Sequence, residues 1–375
     1  MLRWLFNIVL LSRKELRSLL RDRILMGLIV FCFTAAVVLI ANGLRAEVYN
    51  ASVAIIDSDR TELSRRIRDA IQPPYFQPPA DIAREQSGAA LDRGRFIFII
   101  DIPPGFEADV LAGRTPSIHI LVDATAITLA GLGTSYLHDI ILTEVLGFLH
   151  AGTPSSALPF RYTSRIVYNP NFESYSFTSV MQVVTNITIL SIILVGAAVI
   201  RERERGTIEH LLVMPVRTSE IAIAKIGVNG AVILAAALLS LGLVVHMYLG
   251  VPLGGSIPLF VLGAVLYLFS VTSLGMCLAT FAPSMPQFGL LVVPVYMIFY
   301  LLSGSASPVE SMPPWLQAAA YLLPSTQFVS FTQAILYREA GITAVWQQLV
   351  IIGLTGSLYW GLALARFRQM LARQV

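Results

Sequence analysis

IGVNGAVILAAALLSLGLVVHMYLGVPLGGSIPLFVLGAVLYLFSVTSLGMCLATFAPSMPQFGLLVVPVYMIFYLLSGSASPV, residues 226–309, runs 84 positions without one Asp, Glu, Lys or Arg. A membrane-spanning helix takes about 20 apolar residues, so the stretch holds three. Two turns rich in Pro and Gly divide it, Val251-Pro252-Leu253-Gly254-Gly255 and Ala282-Pro283-Ser284-Met285-Pro286. The spans are read over about 226–249, 257–281 and from the second turn to Leu302. An ordinary soluble domain is about 25% charged. The whole chain of 375 residues is 13% charged and 55% hydrophobic, so lipid is the expected solvent.

On the C-terminal side, residues 303–342 contain Pro308, Pro313, Pro314 and Pro324. Proline removes a backbone donor and clashes with the preceding turn, so this segment is read as an external loop with a short interfacial helix around Trp315–Leu323. A last span covers about Thr343–Ala365 and ends in Arg366 and Arg368, leaving a tail at 366–375. On the N-terminal side, residues 177–200 form another span. A charged segment, 201–225, joins it to the charge-free stretch.

Residues 1–23 carry Arg3, Arg13, Lys14, Arg17, Arg21 and Arg23, interleaved with apolar residues at helical spacing. That pattern predicts an amphipathic interfacial helix. The first span follows at 24–44. Its apolar run exceeds the 7–15 residues of a signal-peptide core, so it is read as retained. Cys32 and Cys277 each fall inside a span, which gives no disulfide framework.

Residues 45–176 differ in kind, with 11 Lys/Arg and 15 Asp/Glu. Short β-branched runs at 53–56, 96–102 and 117–122 read as strands, and 61–71, 106–112 and 126–149 as helices. The alternation predicts an α/β domain. The fold class expected is an α-helical polytopic membrane protein with six transmembrane helices, TM3–TM6 lying in 226–365, and an α/β extracytoplasmic domain inserted between helices 1 and 2. Lys and Arg in short flanking segments set orientation. Six lie before the first span, five in 201–225 and three at the C-terminus, against Arg338 alone in 251–256 and 303–342. Both termini and the 201–225 segment are therefore expected in the cytoplasm, and residues 45–176 outside.

An enzyme signature is missing. No phosphate-binding loop occurs, Gly131-Leu132-Gly133 lacks a third glycine, and the five histidines show no metal-ligand spacing. Asp57 and Asp59 follow a strand and read as solvated turn carboxylates. No catalytic residue and no metal site is expected.

The segment 201–225 reads RERERGTIEHLLVMPVRTSEIAIAK. Arg201, Arg203 and Arg205 alternate with Glu202 and Glu204. Gly206-Thr207 opens a short helix with Ile208, Leu211 and Leu212 on one face, and Pro215 ends it. Such a helix fixed between two spans is either a positive-inside loop or a docking element for a soluble partner. On the face of the second span, Ser179, Gln182 and Asn186 are spaced for interhelical hydrogen bonds or for an exit path.

RERERGTIEHLLVMPVRTSEI resembles the connector of ABC-2 type exporter permeases, roughly R-E-x-E-x-G-T-x-E-x-L-x-x-x-P. IDIPPGFEADVLAGRTPSIHILVD, IVYNPNFES and SPVESMPPWLQAAAYLLPSTQF resemble further family segments in the same order. The resemblance implies the transmembrane subunit of an ATP-driven exporter in a bacterial inner membrane. ATP and Mg would be bound by a separate nucleotide-binding ATPase subunit, so the chain needs no cofactor of its own. It also implies a second permease copy or homologue and a periplasmic membrane-fusion adaptor; membrane lipids surround the spans and nucleic acid has no part. Drug-like, amphipathic or hydrophobic substrates are the family expectation. The connector positions are Arg201, Glu202, Glu204, Gly206, Thr207 and Glu209, with Arg203 and Leu212 beside them. RKELRSLLRDR, with Arg13 and Arg17, resembles the interfacial helix lying near the ATPase. Polar residues replace the family's usual Pro-Gly at the start of the second span. From composition alone, a membrane-anchored sensor or adhesion protein and an ion-coupled secondary transporter are the alternatives.

Overall fold

A computed structural model of the chain describes residues 2–43, 50–123, 127–150, 174–204, 206 and 216–372. It divides into two units, Met1–Gly43 with Tyr175–Val375, and Leu44–Ser174. Helix α1 (Leu2–Arg21) buries Leu11, Glu15 and Leu19 and leaves Leu5, Phe6, Val9, Leu10, Leu16 and Leu20 exposed. Asp22 stops it and starts the next helix, its carboxylate accepting the Leu25 N–H at 3.1 Å. An N-cap carboxylate of this kind satisfies a donor that the first helical turn leaves free. Helices α2 (Arg23–Phe33) and α3 (Ala35–Gly43) follow, broken at Thr34.

The second unit holds β1 (Val53–Asp57), α4 (Glu62–Ala70), β2 (Ala80–Asp81), α5 (Ser87–Asp92), β3 (Phe98–Ile102), α6 (Phe106–Leu111), β4 (His119–Val122) and α7 (Ile127–His150). The strand order is β2-β1-β3-β4, with β1 parallel to both neighbours and β4 antiparallel to β3. Val53, Ile55, Phe98, Ile100 and Ile102 meet Leu63, Ile67, Phe106 and Leu137 on one face. Ala54, Ile56 and Ile99 form the other. Both faces are covered, which explains the near-continuous apolar runs of β1 and β3. Asp57 and Asp59 are hydrogen-bonded rather than merely solvated. Asp57 accepts from the Asp59 and Arg60 N–H groups and from the Ser64 hydroxyl. Asp59 accepts the Phe106 and Glu107 N–H groups, both at 3.0 Å, and Glu107 in return accepts the Leu63 N–H at 2.9 Å. Each of α4 and α6 is thus capped by an acid from the other's flank.

The first unit resumes with α8 (Ser174–Glu204), α9 (Thr218–Leu239), a π-helical stretch Ser240–Tyr248, α10 (Ile257–Phe281), α11 (Met285–Leu302), α12 (Pro314–Tyr321), α13 (Pro324–Leu336) and α14 (Ile342–Ala372). Six helices are long and apolar enough to cross a membrane: Arg23–Gly43, Tyr175–Glu204, Thr218–Tyr248, Ile257–Phe281, Met285–Leu302 and Ile342–Met370. Span two is the central post, since 89% of its apolar window is buried against 17% for spans five and six. Gly275 of span four lets the backbones of spans two and four close up. A Cβ there would lie 2.7 Å from the Ile192 carbonyl oxygen, and small residues permit this approach between spanning helices.

Residues 303–342 do more than connect. Ten of the thirteen residues of α13 are buried, and α13 packs on spans four, five and six. Phe328 stacks on Tyr267 at 4.2 Å, and Tyr267 shares a 2.7 Å hydrogen bond with Thr188 of span two. Pro314 and Pro324 open their helices at the first turn, where the missing N–H costs nothing.

Candidate functional site

The connector begins where span two ends. Arg201, Glu202, Arg203 and Glu204 continue α8 as its last turn, and Gly206 follows with φ +65°. Its N–H donates to the Arg203 carbonyl at 3.1 Å, and this left-handed conformation is available to Gly at little cost. Gly206 therefore closes the span, and the short helix read from Thr207 to Pro215, with Thr207, Glu209 and Leu212, lies outside the described residues.

Four side chains of that turn reach four different places. Arg201 pairs with Asp22 between α1 and α2. Glu202 accepts from Lys14 of α1 at 2.8 Å and pairs with Lys225 of span three at 2.9 Å. Arg203 donates to the Ala282 carbonyl at 3.2 Å. Glu204 accepts the Met285 N–H at 3.0 Å, capping span five, whose own Ser284 makes no side-chain cap. The last turn of span two thus ties α1, span three and the span four–five turn together.

Lys225 is the hub. It is 1% exposed, and its ammonium donates to Glu15 at 2.8 Å and to the Ala198 carbonyl at 3.3 Å besides facing Glu202. A buried cation persists only when paired and hydrogen-bonded, and this one has two carboxylates and a carbonyl. Glu220, 3% exposed, adds a second tie by accepting from Asn7 of α1 and from the Arg217 N–H, each at 3.1 Å. At Asp22 the Leu25 N–H, helped by Arg201, holds the carboxyl below its ordinary pKa against the opposing effect of burial. The pair with Arg201 is therefore charged at neutral pH.

Of the site residues read from sequence, Arg201–Glu204 and Gly206 come together here. Arg17 lines the adjoining cavity, and Arg13 is exposed without an acid partner among the described residues. The ties of α1 run instead through Lys14, Glu15 and Asp22, which sequence reasoning missed together with Glu220 and Lys225. One signal was present, since Lys225 is the last charge before the 84-residue gap. Elsewhere, Gln182 donates to Asn186 at 2.9 Å and Asn186 to the Cys32 carbonyl of span one at 2.6 Å. Ser179 is buried and donates to the Ser176 carbonyl at 3.1 Å. Among the described residues, no group of three His, Cys, Asp or Glu side chains is placed to hold a metal ion.

Comparison with known proteins identifies the family. The model of the ABC-2 family transporter protein matches residues 23–365. The chain is 46% identical over 368 residues to the inner membrane transport permease YhhJ of Escherichia coli strain K12, with 98% of each chain covered. It is 29% identical over 376 residues to the probable multidrug ABC transporter permease YbhR of the same strain, covering 96% of this chain and 97% of that one. To the probable multidrug ABC transporter permease YbhS it is 24% identical, over 86% of each. The family model runs from the start of the first candidate membrane helix into the sixth, through the sheet-bearing unit between the first two, and the chain accordingly belongs to the ABC-2 family of membrane transporter proteins.

Proposed function

We propose that the chain is the permease subunit of an ATP-driven exporter, moving an amphipathic or hydrophobic substrate outward with power from a separate ATPase. In this reading both termini and residues 201–225 are cytoplasmic, and the unit carrying the sheet is outside. A second permease copy or homologue completes the bundle, and the outer unit faces a periplasmic adaptor. The observation that carries the reading is the Lys225 cluster. It joins α1, the end of span two and the start of span three, the elements that flank the connector. A push on residues 206–216 from a closing ATPase would be passed to both flanking spans and to α1 as one body. The Glu204 cap and the Arg203 bond would carry it on to the span four–five turn. Ser179, Gln182 and Asn186 would then border the substrate route, which opens when spans one and two part and the Asn186–Cys32 bond breaks. The drug-like substrate class is supported by the multidrug names of two relatives and by the scarcity of charge in the spans.

The test is copurification from a bacterial host coexpressing a candidate nucleotide-binding ATPase subunit. Wild type is expected to retain it, and Glu209→Arg or Gly206→Pro to lower both retention and export at least about ten-fold, roughly 1.4 kcal/mol of lost docking. Both variants retaining the ATPase and exporting normally would refute the docking assignment.

A further inference from the structure

Beside the Lys225 cluster lies a cavity of about 690 Å³ that no step above uses. Its volume is in the range of small-ligand sites. Four cations line it, Lys14, Arg17, Arg21 and Arg201, against three carboxylates, Glu15, Asp22 and Glu202. The carboxylates are already committed. Asp22 is held by Arg201, Glu202 by Lys14 and Lys225, and Glu15 by Lys225. Arg17 and Arg21 are left over. They stand four residues apart on one face of α1, with no acid partner among the described residues and with the Ser18 hydroxyl at the same cavity wall. Two guanidinium groups and a hydroxyl at the mouth of a cavity fit a phosphate, which Arg can engage bidentately.

The surroundings say where that phosphate comes from. Leu16 (39% exposed) and Leu20 (54%) precede the two arginines in sequence, Ile24 (84%) follows Arg21 by three residues, and all three are exposed. A free phosphate has no use for them, whereas acyl chains would cover them. Basic pockets among membrane helices on the cytoplasmic side take anionic headgroups. We infer that this cavity binds the phosphodiester headgroup of an anionic glycerophospholipid, with Arg17 and Arg21 on the phosphate and the acyl chains against Leu16, Leu20 and Ile24. A lipid so held would fasten α1 to the bilayer beside the elements that the Lys225 cluster joins. The inference rests on the reading that α1 lies at the cytoplasmic membrane surface.

The experiment is native mass spectrometry of the full-length protein, titrated with phosphatidylglycerol, with phosphatidylcholine, and with glycerol phosphate or inorganic phosphate. Wild type is expected to hold phosphatidylglycerol at least about ten-fold more tightly than phosphatidylcholine. Arg17→Gln with Arg21→Gln should weaken that binding about thirty-fold, the effect of two surface cations at about 1 kcal/mol each. Arg17→Lys with Arg21→Lys keeps the charge without the bidentate fork and should bind between wild type and the Gln variant, which separates lost charge from lost fold. Phosphatidylglycerol held equally by wild type and the Gln variant overturns the inference. So does saturation by glycerol phosphate or inorganic phosphate at the same concentration, which would make the site one for a free phosphate. Loss of ATPase copurification in the Gln variant with lipid binding unchanged also overturns it and assigns the arginines to the ATPase. Lipid binding as expected with no ATPase retained by wild type would leave this inference standing and count against the exporter reading alone.

Discussion

Lys225 holds more of the charged end of the bundle together than its neighbours do, with two carboxylates and a carbonyl on one buried ammonium. The ion pairs gathered around it differ in weight. Lys14 is 52% exposed, and a pair involving such a side chain contributes about 0–1 kcal/mol. Lys225 and Glu15 are 1% and 10% exposed, and removing one partner of a buried pair costs about 3–5 kcal/mol because the other charge is stranded. Lys225→Met should therefore destabilise the helical unit by about 3 kcal/mol. Lys225→Met with Glu15→Gln removes a cation and an acid together and leaves Glu202 to Lys14, so it should recover most of that loss. Thermal unfolding in detergent measures both, and a double variant no more stable than the single one would contradict the assignment. At this scale the connector motif was readable in sequence, because Arg201, Glu202 and Glu204 stand in one short run. The Lys225 partners were not, because Glu15 lies 210 positions away and nothing in a single sequence links two charges across that distance.

Among elements, the spans were legible because charge is excluded from them for a local reason, the cost of taking an ion into hydrocarbon. Helix α13 was not. Its Pro324 reads as a breaker until the structure shows it in the first helical turn, and its burial depends on Phe328 meeting Tyr267. In the sheet unit, strands β1 and β3 were visible as apolar runs. Strand β2, two residues long, carries too little pattern to be seen. The exchange of caps between α4 and α6 was also hidden, since it pairs Asp59 with residues 47 and 48 positions on. It makes a pH-dependent element. Burial raises the Asp59 pKa, but the Thr61 hydroxyl and the N–H groups of residues 105–107 outweigh it, so the carboxyl titrates below its ordinary value. A depressed pKa gives stability that is present above the unfolded value, about 4, and lost as pH falls through the folded one. Local opening of α4 and α6 should thus cost the same from pH 7 to about 5 and less below about 4. Asp59→Asn should lower that cost at pH 7 by about 1 kcal/mol and flatten the acid limb. Hydrogen–deuterium exchange of peptides covering 59–70 and 102–112 in the full chain reads this. Unchanged exchange at pH 7 together with an unchanged acid limb would reject it.

For the whole molecule, the sequence signal and the structure meet at one place, the charged end of span two. Composition placed that segment beside the membrane. In the fold, the alternating charges of residues 201–204 each find a partner, on α1 and its Asp22 corner, on span three or on the span four–five turn. An arrangement of this kind makes one rigid end of the bundle, which is what the proposed coupling to a separate ATPase needs. The most direct test uses the charge-neutral double variant, Lys225→Met with Glu15→Gln, assembled with its ATPase in proteoliposomes, with ATP hydrolysis and substrate movement measured on the same preparation. Hydrolysis is expected to stay within about two-fold of wild type while transport per ATP falls at least about ten-fold, a coupling loss of about 1.4 kcal/mol. Transport that keeps pace with hydrolysis in that variant would contradict it.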